Sequence, residues 1–432
     1  RVSSTAVNSR AVSSTAVNSR AGSSGAGTAG NKRVVAIVDY APYEFIRRGF
    51  DAAQSFLDGD VECHYIFNAD FPGPGRAAER TVGNNPANSA IVTPLSIGAD
   101  VAKGTFLKRC TQDVRWAVSL VRHLRKIGAD TVLMSNTSLP VLTVLAGYSA
   151  RARDLRWGIW VQDVYSAAFE TVVRTKLPEP VAVAASGAAY RLEGATLRRA
   201  DAVFSIGNPL DKEIDRIAGC PIEPLPNWAM LDDFEPSAQS APAAPGEPRR
   251  RIATYAGTLG VKHDLRDFVS LAQTLAASSW SLVVASEGDA ADRLRDRLAD
   301  FDHVKVIPFQ SDEAYRRLLA DSDLLLVALA DNAARYSIPS KVLTYLCAGR
   351  PIAASIAPDN DAAQIIESVG CGTVADTLDA AVKMCMDMTD AEREQLGARA
   401  REYAEQSFAE PIVGRRLADA LVTLDPRLTA GR

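Results

Sequence analysis

The stretch DNAARYSIPSKVLTYLCAGRPI, residues 331–352, carries the fold in its punctuation. Before it, Leu324 to Ala330 is an unbroken apolar run, the pattern of a buried strand. Beyond the break at Arg350-Pro351, Ile352 starts a second strand-like segment. Between them Ser340 stands where a helix is capped, and Val342, Leu343, Leu346 and Cys347 form one inward stripe. Pro339 stiffens the entry, and Gly349 is placed to end the helix in a left-handed conformation. Unpaired N–H groups at such a helix start, with Lys341 in the first turn, make an anion site suited to a diphosphate. An ordinary capped helix of an α/β domain begins the same way, so the rest of the chain must choose between them.

With 432 residues the chain has room for two sizeable cores, since single cores rarely grow past about 250–300 residues. Apolar residues make up 47% and charged ones 23%, the balance of a globular protein, and the formal charge of −4 argues against a dedicated nucleic-acid binder. Six cysteines are scattered without CxxC spacing and read as reduced core residues of a cytoplasmic protein. Four dispersed histidines form no zinc-type cluster, and no segment reaches the ~18–20 apolar residues of a membrane span. Basic stretches at Arg47-Arg48, Lys108-Arg109, Arg122 to Lys126 and Arg151 to Arg156 either meet an anionic membrane surface or are solvated helix faces.

Residues 1–30 repeat VSSTAVNSR and end in a Ser/Gly/Ala run, which predicts a disordered tail with no core of its own. Order is expected from Arg33. Strand patterns at 34–40, 61–67, 131–136, 155–164 and 201–207 alternate with helical ones at 45–57, 116–127 and 188–199. A Pro/Ala/Ser-rich linker spans 237–250. The alternation then restarts, with strands at 251–257, 279–286, 304–309 and 324–330 and helices at 265–277, 290–298 and 313–319. Helices at 361–369 and 378–388 follow, and from Asp390 the chain reads as helical to Leu424. Two doubly wound parallel sheets result, 31–236 and 251–410, with a final helix in 411–432 packing back on the first. Ligands of such sheets lie at the carboxyl ends of strands, which makes Asn136, Gln162 and Asp163 candidates in the first half. In the second, Gly257 and Gly260 fit a strand-to-helix loop close to a phosphate, and Lys262 adds charge opposite Lys341.

From Arg33 to about Leu424 the chain resembles bacterial glycosyltransferases of the large retaining family four, in the branch that builds exopolysaccharide, capsule and O-antigen. Five segments carry the resemblance, in order: Trp160 to Tyr165 (WVQDVY), Leu197 to Val203 (LRRADAV), Pro226-Asn227-Trp228, Tyr255 to Gly260 (YAGTLG), and IPSK at 338–341 with YLCAGRPI at 345–352. The resemblance implies the GT-B fold, two facing Rossmann-like domains with a cleft between them. It also implies a nucleotide-diphosphate sugar bound by the second domain, as co-substrate and with no further cofactor, and a glycan or lipid-linked acceptor bound by the first. On that reading Asp163, Lys341 and Lys262 serve the chemistry, Asp163 in a positioning or electrostatic role. Gly257, Thr258, Gly260, Glu287, Phe309, Tyr336, Pro339, Ser340 and Thr344 surround the donor, while Tyr40, Asn136 and Gln162 face the acceptor. Glu287 touches ribose or base, or is an exposed turn carboxylate. Charge building on the leaving diphosphate is met by fixed cations and helix N–H groups, with no metal and no DxD motif in the second domain.

Two departures stand out. The family places paired glutamates where this chain has Tyr336 and Thr344, and a hydroxyl contacts a ribose more weakly than a carboxylate does. The family's glycine-rich opening loop is replaced by Asp39-Tyr40-Ala41-Pro42-Tyr43-Glu44, which predicts a different acceptor pocket. The sequence thus favours a retaining transferase at the cytoplasmic face of the membrane, making a surface polysaccharide or glycolipid. A catalytically degenerate binding subunit of the same fold is the alternative. A nucleotide-sugar epimerase is the third reading, and it lacks the expected histidine motif.

Overall fold

The computed structural model describes residues 32–71, 89–98, 106–235, 250–260, 263–329 and 340–431. The tail expected over 1–30 and the linker expected over 237–250, Arg250 excepted, lie outside them.

Two all-parallel sheets organise the chain. The first has 7 strands in the order β3-β2-β1-β4-β5-β6-β7. These are β1 (Arg33–Asp39), β2 (Val61–Asn68), β3 (Ile91–Leu95), β4 (Thr131–Ser135), β5 (Arg156–Val161), β6 (Ala202–Ser205) and β7 (Glu223–Pro224). Between them run α1 (Glu44–Gln54), α2 (Phe106–Ile127), α3 (Leu139–Ser149), α4 (Tyr165–Lys176), α5 (Glu179–Leu197) and α6 (Asn208–Ala218). The central strands are buried on both faces because helices cover them: all five residues of β4 are buried.

The second sheet has 6 strands in the order β10-β9-β8-β11-β12-β13. They are β8 (Arg251–Ala256), β9 (Trp280–Ala285), β10 (Val304–Ile307), β11 (Leu324–Ala328), β12 (Ile352–Ser355) and β13 (Gly372–Val374). Its helices are α7 (Leu265–Leu275), α8 (Asp289–Arg297), α9 (Asp312–Asp321), α10 (Lys341–Ala348), α11 (Asp361–Val369) and α12 (Leu378–Met386). Then come α13 (Asp390–Phe408), started by a capping box of Thr389 and Glu392, and α14 (Glu410–Leu424).

As expected, α14 crosses back to the first sheet. Its Gly414 lies against Ala52 of α1, and Leu424 reaches Gly158 of β5. Just beyond, the Thr131 hydroxyl donates to Asp425 at 2.6 Å, and Arg427 donates to the carbonyls of Asp130 and Asp154. Each sheet reverses strand order once, between β1 and β4 in the first and between β8 and β11 in the second. Those two crevices are where open α/β sheets receive ligands.

Candidate functional site: a cleft between two switch points

Both crevices open onto one cavity of about 760 Å³. On the second-sheet side, β8 is followed by Gly257, whose φ of 148° is a conformation that side chains avoid. A Cβ there would stand 3.0 Å from Cε of Lys341 and 3.3 Å from its Nζ. Glycine therefore lets the lysine lie against the strand end. Lys341 Nζ donates to the Tyr255 hydroxyl at 2.7 Å and sits 4.1 Å from that ring's centroid. Burial pushes its pKa down to about 7. Among the described residues no carboxylate forms a salt bridge with it. Thr258, Ser340 and Thr344 line the same wall.

Ser340 departs from expectation. Its backbone is already helical (φ −56°, ψ −23°) and its side chain caps no N–H. A capping residue needs extended backbone to swing its hydroxyl over the first turn, and Ser340 lacks it. Gly349 does end α10 in the left-handed region, at φ 63°.

On the first-sheet side Asn136, Gln162 and Asp163 all line the cavity. Asn136 follows β4 in left-handed backbone (φ 48°) and donates from Nδ2 to Asp39 Oδ1 at 3.1 Å. Asp39 is fully buried at the end of β1. Its other oxygen accepts from the Tyr43 N–H and the Tyr65 hydroxyl, both at 2.7 Å. Burial pushes its pKa up to about 7 against the pull of those donors. Two of the sequence segments mate here: the rings of Trp160 and Trp228 stack at 5.3 Å, and the amides of Gln162 and Asn227 bond to each other at 3.0 and 2.6 Å. Trp160 Nε1 also donates to the Leu225 carbonyl at 2.8 Å.

Several expected residues sit elsewhere. Tyr40 is buried, its hydroxyl donating to Asp113, and Tyr43 lines the cavity instead. Gly260 does not line it, and a Cβ there would meet nothing within 4 Å. Glu287 and Phe309 also lie outside the lining: the Glu287 carboxylate accepts the Phe309 N–H at 3.0 Å, tying the end of β9 to that of β10. Lys262, Tyr336 and Pro339 fall outside the described residues. Among those described, no group of three His, Cys, Asp or Glu is placed to hold a metal ion. The six cysteines are unpaired, four of them buried.

His263 and Arg316 also line the cavity, unmarked as site residues by the sequence. Arg316, on α9, donates to Asp233 Oδ2 at 3.4 Å, while Arg48 of α1 holds Oδ1 at 3.2 Å. Nothing in the spacing of α9 marked Arg316, because the turn it shares with Tyr315 is polar on several sides.

Among solved structures the chain is similar to HepE from Anabaena, solved with UDP and glucose (TM-score 0.64, 13% identity, 90% of this chain and 100% of that one). It is also similar to sucrose-phosphate synthase from Thermosynechococcus elongatus (TM-score 0.67, 14% identity, 92% and 100%). A third is a glycosyltransferase from Rickettsia africae (TM-score 0.62, 11% identity, 91% and 99%). The fold is GT-B. These neighbours are glycosyltransferases, and at such identities the likeness speaks for architecture alone. No protein-family model and no curated protein matches the sequence. Among the described residues no helix is long and apolar enough to cross a membrane.

Proposed function

We propose that the chain is a retaining glycosyltransferase that moves a sugar from a nucleotide-diphosphate donor to a glycan or lipid-linked acceptor. The observation that carries this is Lys341, packed on Gly257 at the β8–β11 switch point with no acid partner among the described residues, facing Asn136, Gln162 and Asp163 across one cleft. Breaking the bond between sugar and diphosphate gathers negative charge on the leaving phosphate. A desolvated ammonium beside a helix start stabilises that charge more in the transition state than in the bound donor. This role asks for no metal ion. Asp163 and the Gln162–Asn227 pair then position the transferred sugar and the acceptor, and Arg316 adds positive charge to the donor wall. We place the reaction at the cytoplasmic membrane face, in surface polysaccharide or glycolipid synthesis. HepE, which binds UDP-glucose, supports UDP-glucose as the first donor to try.

Thr344 keeps a second reading in view, because it lines the cavity where the resemblance expects a glutamate. A degenerate binding subunit would bind donor without turning it over. Incubation with UDP- and GDP-sugars, following nucleoside diphosphate release and product anomer by NMR, separates the two. Release with the donor's anomeric configuration kept supports the transferase, binding without release supports the subunit, and an inverted product rejects retention.

A further inference from the structure

Tyr255, the fifth residue of β8, joins the two parts of the donor wall. Its ring packs edge-on against Phe268 of α7 at 5.0 Å, so the side chain is fixed from below. Its hydroxyl is the meeting point of three groups: Lys341 Nζ at 2.7 Å, His263 Nε2 at 2.9 Å and the Thr258 carbonyl at 3.0 Å. The directions of these bonds follow from chemistry. Gly260 N–H donates to His263 Nδ1 at 3.2 Å, so the neutral imidazole carries its proton on Nε2 and donates to the tyrosine oxygen. That oxygen also accepts from the ammonium, and the hydroxyl proton goes to Thr258. The His263 N–H closes the loop on the Gly260 carbonyl at 3.0 Å. Every capacity of the hydroxyl is used, and the lysine keeps two N–H groups for a ligand.

We infer that Tyr255 and His263 are a positioning pair for Lys341, holding its ammonium and the Gly257–Gly260 loop as one rigid unit toward the donor diphosphate. The inference rests on the nucleotide-sugar reading above. Neither residue touches the reacting atoms. Their work is to present one cation and one loop in fixed register, so that little ordering is left for the moment of binding.

A double-mutant cycle on UDP affinity tests it. Tyr255→Phe keeps the ring and removes the hydroxyl. It should weaken UDP binding about fivefold or more alone and by less than about twofold when Lys341→Met is already present. Equal losses in both backgrounds would overturn the pair's action through Lys341. His263→Gln restores a donor toward Tyr255, while His263→Asn restores only an acceptor for Gly260 N–H. Gln should keep most of the affinity and Asn should not, and the reverse order rejects the assignment. Competitive acetylation needs no nucleotide: in Tyr255→Phe, Lys341 should label at least about twofold differently relative to exposed Lys305. Unchanged labelling sinks the positioning pair even if UDP binds. Changed labelling in a chain that binds neither UDP nor GDP keeps the pair and removes the donor reading.

Discussion

Lys341 ties stability to the proposed nucleotide binding through one proton. Its ordinary pKa of 10.5 falls to about 7 in the fold because burial disfavours the ammonium. Between those values the unfolded chain holds a proton that the folded chain lacks, so this group's contribution to stability rises with pH across that window. Lys341→Met should accordingly raise the melting temperature at pH 7 while weakening nucleotide binding at least about tenfold, and calorimetry with a thermal melt checks both. On the proposed reading a bound diphosphate would pull the pKa back up, so above about pH 7.5 binding would take up a proton. Affinity should then fall by up to about tenfold per pH unit between roughly pH 7.5 and 9, with a flat profile in Lys341→Met. Two glycines of one loop should part company in the same assay. Gly257→Ala drives a Cβ into Lys341 and forces an unfavourable φ, so it should lose about tenfold or more in affinity. Gly260→Ala meets open space and should change stability by less than about 1 kcal/mol.

At the scale of elements, helix starts that look alike in sequence differ in their physics. Thr389 accepts the Glu392 N–H and receives its side chain in return, so Thr389→Ala should cost about 1 kcal/mol in denaturant unfolding. Ser340→Ala should cost only a few tenths, since that hydroxyl caps nothing. The contact of α14 with α1 depends on Gly414, where a Cβ would come within 2.8 Å of the Ala52 backbone. Gly414→Val should destabilise by about 1–3 kcal/mol through enforced separation of the two helices, again read by denaturant unfolding. The buried parallel strands were legible in the sequence because runs such as Leu324–Ala328 are apolar on both faces. Three helices were not. α3 (LPVLTVLAGYS) is apolar nearly all round and offers no stripe, while α4 and α6 follow their strands with only a few residues between. β3 escaped because it is a short edge strand carrying Pro94, with two of its five residues exposed. The WVQD and PNW segments were each visible, but their mating through Trp160–Trp228 and Gln162–Asn227 spans 68 and 65 residues and appears only in three dimensions.

For the whole molecule, two doubly wound sheets were legible from alternation, whereas a cleft between them was expected only from the resemblance to family-four glycosyltransferases. The side chains that tune the cleft were less so. Asn136, Gln162, Asp163 and Gly257 converge from strand ends and Lys341 from the start of α10, whereas His263 lies in the bend before α7 and Arg316 on α9, with no sequence signature. The last helix belongs to the architecture of the first sheet although it follows the second. Val413, Leu417, Leu421 and Leu424 are buried, so removing residues 410–431 should expose the α1 face and leave a chain that aggregates or melts at lower temperature. Isothermal titration of UDP and GDP into the full chain and into Lys341→Met shows whether this ammonium holds a nucleotide. At least one nucleotide should bind the parent chain and bind the variant at least about tenfold more weakly. A folded parent chain that binds neither, or a variant that binds equally well, would contradict it.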